Sequence, residues 1–209
     1  MNERMDKEFR AHMQEQDRDF FNMLQRHPVL SLPAARPPFE ALVRIVAGQQ
    51  LSVKAADTVF KRVQHVLGGE VSASSLAQIS TEQLRSAGLS GSKVTSVFAL
   101  ADFAGRDERQ LLELLEEPWP KVREQLLQIR GIGPWSVDMY AMFGLGLPDV
   151  FAAGDLGLRT AMERHLGVAP KQKPAVYDRR ALCWNPYRTL ASLHLWHSLK
   201  PDHERFSAQ

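Results

Sequence analysis

The five residues Arg130-Gly131-Ile132-Gly133-Pro134 constrain the fold of this chain more than any other stretch. They interrupt two apolar patterns of helical spacing. Before them, Lys121 to Ile129 carries Val122, Leu126, Leu127 and Ile129, the three-and-four spacing of an amphipathic helix. After them, Trp135, Val137, Met139, Tyr140, Met142 and Phe143 fit a second, heavily buried helix running from Pro134 to Leu145. Glycine tolerates positive φ and lets backbone approach a partner closely. Proline suits the first turn of a helix, because its φ is preset and it leaves no amide hydrogen unpaired. The stretch is therefore predicted to be helix, tight hairpin, helix. Glycine amides beside a helix N-terminus can point outward with the positive end of the dipole behind them, which suits a phosphate oxygen. A plain turn between two helices accounts for the same residues, so Gly-Ile-Gly alone leaves both readings open.

The rest of the chain is punctuated in the same way. Met5 to His27 presents Phe9, Met13, Phe20, Phe21 and Leu24 on one face and charges on another, predicting one long amphipathic helix ended by Pro28. Residues 28–38, PVLSLPAARPP, are too proline-rich for a regular element. Phe39 to Ala47 reads as a short buried helix, and Ser52 as the N-cap of a helix from Val53 to Leu67 closed by Gly68-Gly69. Ser80 with Gln83 forms a capping-box pattern for a helix reaching Ala87, where Gly88 stops it. Ser92 to Phe103 and Arg109 to Leu115 give two more helical segments, and Pro118 and Pro120 bracket the entry to the hairpin. Beyond the hairpin, a linker from Gly146 to Gly154 delivers Asp155 to the start of a helix, Leu156 to Leu166. A loop at Pro170 to Pro174, a short helix to Leu182 and a last one from Pro186 to Leu199 follow. No segment sustains two-residue alternation, so the fold class is all-α.

Composition sets the outer limits. With 209 residues, 44% of them hydrophobic, the chain can bury a substantial core as one or two domains. No apolar run approaches the length that spans a bilayer, and MNERMDKEFR lacks a secretory pattern, so a cytoplasmic protein is expected. The single cysteine, Cys183, excludes an internal disulfide and by itself holds neither an iron-sulfur cluster nor a structural zinc. A net charge of +2 and a pI near 8.8 permit nucleic-acid binding without demanding it, so any grip on DNA must come from a few localised contacts.

Several segments, in this order and spacing, resemble the helix-hairpin-helix Gly/Pro-Asp superfamily of DNA glycosylases. They are GQQLS at Gly48 to Ser52, LLQIRGIGPWSVDMY, DVFAAGDLGLR, and the pair WNPYR and LHLWHS. The resemblance covers roughly residues 37 to 200 and is greatest to the 3-methyladenine DNA glycosylase II branch. It implies two helical lobes with the DNA-binding hairpin at the cleft. Residues 37–150 would form the central lobe, and 1–36 with 151–209 the second lobe from both chain ends. The activity implied is that of a monofunctional DNA glycosylase. It would flip alkylated purines of the 3-methyladenine and 7-methylguanine type out of double-stranded DNA and hydrolyse the N-glycosidic bond, in base excision repair. A monomer is implied. Two alternatives stay open: a non-catalytic helix-hairpin-helix DNA-binding protein, which has no need of Asp155 or paired tryptophans, and a glycosylase of different base specificity on the same fold.

The resemblance also distributes roles. Asp155 would be the catalytic carboxylate, stabilising oxocarbenium character on the sugar or activating water; its place before LGLRTAM equally makes it a helix N-cap. Asp138 and Asp149 are the nearest rival carboxylates. Trp135 and Trp196 would face the flipped base, whose positive charge an aromatic face attracts by about 0.5–2 kcal/mol, with Met139 and Gln49 beside them. Trp135 stands where strand-nicking members carry a lysine nucleophile, and tryptophan forms no imine, so hydrolysis without lyase activity is implied. Gly131, Gly133 and Ser136 would hold the DNA backbone, and Gln50 or Leu51 would fill the gap left by the flipped nucleotide. Met139 and Gln50 occupy positions where the bacterial members carry tyrosine and leucine. No cofactor is implied beyond a monovalent cation held by the carbonyls of Leu127, Ile129 and Ile132. The four-cysteine iron-sulfur motif of some members has no counterpart here. Trp184, Pro186, Tyr187 and Arg188 fit the pattern in either a packing or a functional role.

Overall fold

Apolar spacing becomes helix throughout the computed structural model, which describes residues 2–200, with side chains from Arg4 onward. The helices are α1 (Asn2–Gln16), α2 (Arg18–Leu24), α3 (Pro38–Gly48), α4 (Val53–Val66), α5 (Ala73–Leu76), α6 (Thr81–Ser86), α7 (Gly91–Ala104), α8 (Arg109–Leu115), α9 (Trp119–Leu126), α10 (Pro134–Phe143), α11 (Leu156–His165), α12 (Pro174–Arg180) and α13 (Arg188–Ser198). A 3-10 turn occupies Ala181–Trp184. The fold is all-α, with no strand among the described residues. None of the described helices is long and apolar enough to cross a membrane.

Side-chain caps start several of the helices. Ser52 accepts a hydrogen bond from the Ala55 amide at 3.3 Å and starts α4. Ser80 and Gln83 close a reciprocal capping box over α6. A second box, Ser72 with Ser75, starts the single turn of α5, an element too short to show an apolar period.

One expected element is divided. The long N-terminal helix breaks at Asp17, which leaves helical geometry at φ −151° and caps α2 through the Phe20 amide at 3.2 Å. Burial explains the break. Asp17 is 5% exposed, and a carboxylate removed from water needs every lone pair engaged. It obtains Arg180 at 2.6 Å and the indole N–H of Trp184 at 2.6 Å together with the α2 amide, a set that an uninterrupted helix cannot offer.

Two compact units are present: residues 35–145, and the described residues before and after that span. The divisions fall at Ala35 and Gly146, where the resemblance implies 37 and 151. In the first unit α3 packs against α4, α7 and α10, around a core that includes Leu42, Val46, Phe60, Leu100, Leu126 and Tyr140. In the second, α11 packs on α13 and α1 on α2, with Phe9, Phe20, Trp184, Leu158 and Leu195 buried.

This second unit should lose stability stepwise in acid. Burial holds His194 below the ordinary imidazole value. The unfolded chain therefore takes up a proton below pH about 6.5 that the folded chain resists, and stability falls as pH drops through that range. Burial alone would raise the Asp17 carboxyl, but hydrogen bonds from Arg180, Trp184 and the Phe20 amide outweigh it and hold the group low. Its contribution is present above about pH 4 and lost below, as pH falls through the depressed folded value. Urea midpoints at pH 7.5, 5.5 and 3.5 are expected to decrease in that order.

Candidate functional site

The hairpin is held from two sides. Helix α9 ends at Leu126, with Leu127 as its cap, and the turn closes through the Ile132 amide donating to the Ile129 carbonyl at 3.0 Å. Gly131 has φ +84°, and a Cβ built there would lie 1.8 Å from Ser96 Oγ and 2.6 Å from Ser96 Cβ on α7. Backbone conformation and close approach both require glycine at this position. Gly133 is different. It precedes α10 with φ −101°, and a Cβ there would meet nothing within 4 Å. The two glycines given one role from sequence thus have two: Gly131 serves the fold, whereas nothing inside the protein demands glycine at 133.

The segment GQQLS meets this hairpin through Gln49. Its side-chain amide donates to the Gly131 carbonyl at 3.0 Å and to Ser136 Oγ at 2.9 Å. These contacts revise two expectations. The Ser136 side chain, expected to reach a DNA backbone, belongs to a residue 2% exposed and accepts from Gln49, because position 136 turns inward on the first turn of α10. Gln49, expected beside a base, has its amide hydrogens engaged in joining the end of α3 to the hairpin. Gln49→Ala should therefore cost about 1–3 kcal/mol, read as a lower urea midpoint. Lys93 on α7 supports the same corner, donating to the Ala47 carbonyl at 2.8 Å; burial lowers its ammonium pKa. Lys93 and Ser96 carry no sequence signal, since nothing in their local pattern marks them as neighbours of residues 47 and 131.

Gln50 and Leu51 project from this corner. Gln50 has φ +57°, and Leu51 is 40% exposed and Val53 89% exposed, so Leu51 is not a core residue. Beside them lies a cavity of about 310 Å³ within this unit, whose lining includes Trp135, Met139, Phe143, Leu51 and Arg44. Met139 is 6% exposed. Arg44 is neutralised by Asp57 at 2.8 Å and stacks over Phe60 at 4.8 Å, so the wall it forms adds little net charge. The carbonyls of Leu127, Ile129 and Ile132 fall where the helical ladder has ended. An all-carbonyl donor set suits a hard monovalent cation, and the Ile129 oxygen keeps a second lone pair beside its bond to Ile132. Among the described residues, no group of three or more His, Cys, Asp or Glu could hold a metal ion.

Asp155 belongs to the other unit and is the N-cap of α11. Its Oδ1 accepts the Leu158 amide at 2.9 Å and the indole N–H of Trp196 at 2.9 Å. The linker before it is fastened to the start of α13. Arg188 grips Asp149 with Nε and Nη2 at 2.7 and 2.8 Å, and Asn185 donates to the same carboxylate. Thr189 donates its hydroxyl to the Leu147 carbonyl at 2.6 Å and its amide to the Pro148 carbonyl at 3.0 Å. Burial would raise the Asp149 carboxyl, but Arg188 outweighs it and holds the group low. Asp149 is thus a structural anchor, and the other rival, Asp138, lies on α10. Within WNPYR, Trp184 is core at 0% exposure and Arg188 is a clamp. Trp196, expected to face a base, directs its ring N–H at Asp155; no spacing signal links two residues this far apart in sequence.

Comparisons with known proteins place the chain in a family. Residues 43–186 match the family model described as HhH-GPD superfamily base excision DNA repair protein. DNA-3-methyladenine glycosylase 1 of Schizosaccharomyces pombe is 33% identical over 79% of this chain and 74% of its own. The solved structure of the Schizosaccharomyces pombe 3-methyladenine DNA glycosylase in complex with abasic DNA superposes with a TM-score of 0.79 at 27% identity. That match covers 93% of this chain and 98% of the other. Relatives in Bacillus subtilis, 29% identical, and Mycobacterium tuberculosis, 33% identical, align over 78% and 88% of this chain. The chain spans 59% and 38% of their respective lengths.

Proposed function

Because the chain belongs to the HhH-GPD superfamily of base excision DNA repair proteins, we propose that it is a monofunctional glycosylase acting on alkylated purines in double-stranded DNA. It would work as a cytoplasmic monomer. The observation that carries this reading is Asp155, a carboxylate fixed by two hydrogen bonds at a helix N-terminus inside a segment matching that family.

The chemistry follows from the groups present. A base stacked in a duplex is out of reach, so the nucleotide is rotated out. The Gly131–Trp135 backbone, at the start of α10, grips phosphate without reading sequence, while Gln50 or Leu51 fills the vacated stack. The C1′–N bond then breaks with its electron pair passing to the purine, and positive charge spreads over C1′ and the ring oxygen. Asp155 stabilises that charge. Water adds to C1′ and loses a proton, leaving an abasic site, the kind of DNA bound in the Schizosaccharomyces pombe structure. Trp135, which has no amine to form an imine, supports hydrolysis over strand nicking. The apolar cavity beside Trp135 and Met139 supports an aromatic, weakly polar contact with a cationic base. At the hairpin, the carbonyls of Leu127, Ile129 and Ile132 would hold a monovalent cation that adds positive charge near the phosphates.

The test is incubation with methylated duplex DNA, scoring free bases and alkali-labile sites. Release of 3-methyladenine or 7-methylguanine with an intact strand before alkali is the expected result. Duplex binding with no base released across a panel of lesions would leave a DNA-binding module in place of an enzyme.

A further inference from the structure

We propose that Trp196 and Gly157 are positioning residues for Asp155: the Trp196 indole N–H clamps Oδ1, and the absent side chain at Gly157 is the gap that admits the indole. This inference rests on the glycosylase reading of Asp155.

Two donors from different helices meet on one oxygen. The Leu158 amide comes from α11 itself and the Trp196 N–H from α13, each at 2.9 Å. A cap bond alone fixes a carboxylate relative to its own helix. The second bond fixes it relative to the core, because α13 is seated by His194 and Leu195, both 0% exposed, and by His197 at 7%.

Gly157 makes the clamp possible. A Cβ at this position would stand 3.1 Å from Asp155 Oδ1 and 3.1 Å from both Cδ1 and Nε1 of Trp196, inside the optimal separation of about 3.5–4.0 Å for carbon contacts. Its φ is not positive, and it lies in the first turn of α11, where alanine is favoured over glycine by up to about 1 kcal/mol. Helix propensity therefore argues against glycine at 157, and the space beneath the indole argues for it. Because buried neighbours seat α13, a methyl group at 157 displaces the indole and the carboxylate, not the helix.

The experiment pairs Gly157→Ala with Trp196→Phe, the latter keeping an aromatic ring but removing the N–H. The indole N–H resonance of Trp196, identified by its loss in Trp196→Phe, is expected to move in Gly157→Ala while the melting temperature holds or rises. Single-turnover release from methylated duplex should fall in each variant, by about tenfold or more, toward the roughly 100-fold scale of a full ångström of misplacement. Affinity for an abasic-site duplex should change by less than about twofold, and the double variant should be no slower than the slower single. An unmoved resonance with an unchanged rate in Gly157→Ala would overturn the role of Gly157, and a wild-type rate in Trp196→Phe would overturn the clamp. If the wild-type protein releases no base, the glycosylase reading fails separately. Asp155→Ala then judges the clamp by spectrum alone: a moved Trp196 resonance supports it and an unmoved one removes it.

Discussion

Asp155→Asn is expected to lower the single-turnover rate of base release by about 10³-fold, the scale of removing a preorganised charge from a developing cation. Asparagine keeps an oxygen that can accept from Leu158 and Trp196, so the cap and the packing of α11 should survive and the melting temperature should move little. Binding to an abasic-site duplex should persist. The paired measurement matters because Asp155 is both N-cap and proposed catalytic group: loss of rate together with loss of fold would implicate only the cap. A variant that released bases at the wild-type rate would exclude the carboxylate from the chemistry.

Gly131→Ala and Gly133→Ala should separate in the opposite sense. At 131 a methyl group meets Ser96 at 1.8 Å and the backbone stands at φ +84°, so overpacking and conformational strain together should cost about 3 kcal/mol or more. Urea unfolding reads this directly, and DNA binding should fail with the hairpin. At 133 the methyl group meets no protein atom within 4 Å, so stability should stay within about 0.5 kcal/mol. The added carbon instead stands in open space at the start of α10, where phosphate is proposed to bind, so duplex affinity should fall about tenfold, the loss of one charge-assisted hydrogen bond. Equal destabilisation by both substitutions would mean that the hairpin is rigid for reasons other than the Ser96 contact.

Much of this architecture is legible in the sequence because it is written locally. Ser52, Ser80 with Gln83, and the glycines after α4 and α6 fall within a turn of the ends they set, so caps and breakers locate helices directly. The helix-hairpin-helix is readable for the same reason. Asp17 shows the limit: the burial that forces the break depends on Arg180 and Trp184, supplied from the far end of the chain. The site divides likewise. The two candidate roles of Asp155 follow from residues 146 to 166, whereas its bond to Trp196, the Gln49 bridge to Ser136 and the contact of Ser96 with Gly131 are made by the folded chain. The resemblance assigns Gln49 and Ser136 to a ligand because both lie in matched segments. Their mutual hydrogen bond, with that from Gln49 to the Gly131 carbonyl, accounts for their polarity internally.

Gln50 holds a left-handed backbone, φ +57°, that costs a residue with a side chain about 1–2 kcal/mol. Glycine would relieve that cost, so a search for heat-tolerant variants should repeatedly select Gln50→Gly. Such variants would resist melting while losing one of the two side chains proposed to fill the vacated stack, so a screen scored on temperature alone would select against that proposed role.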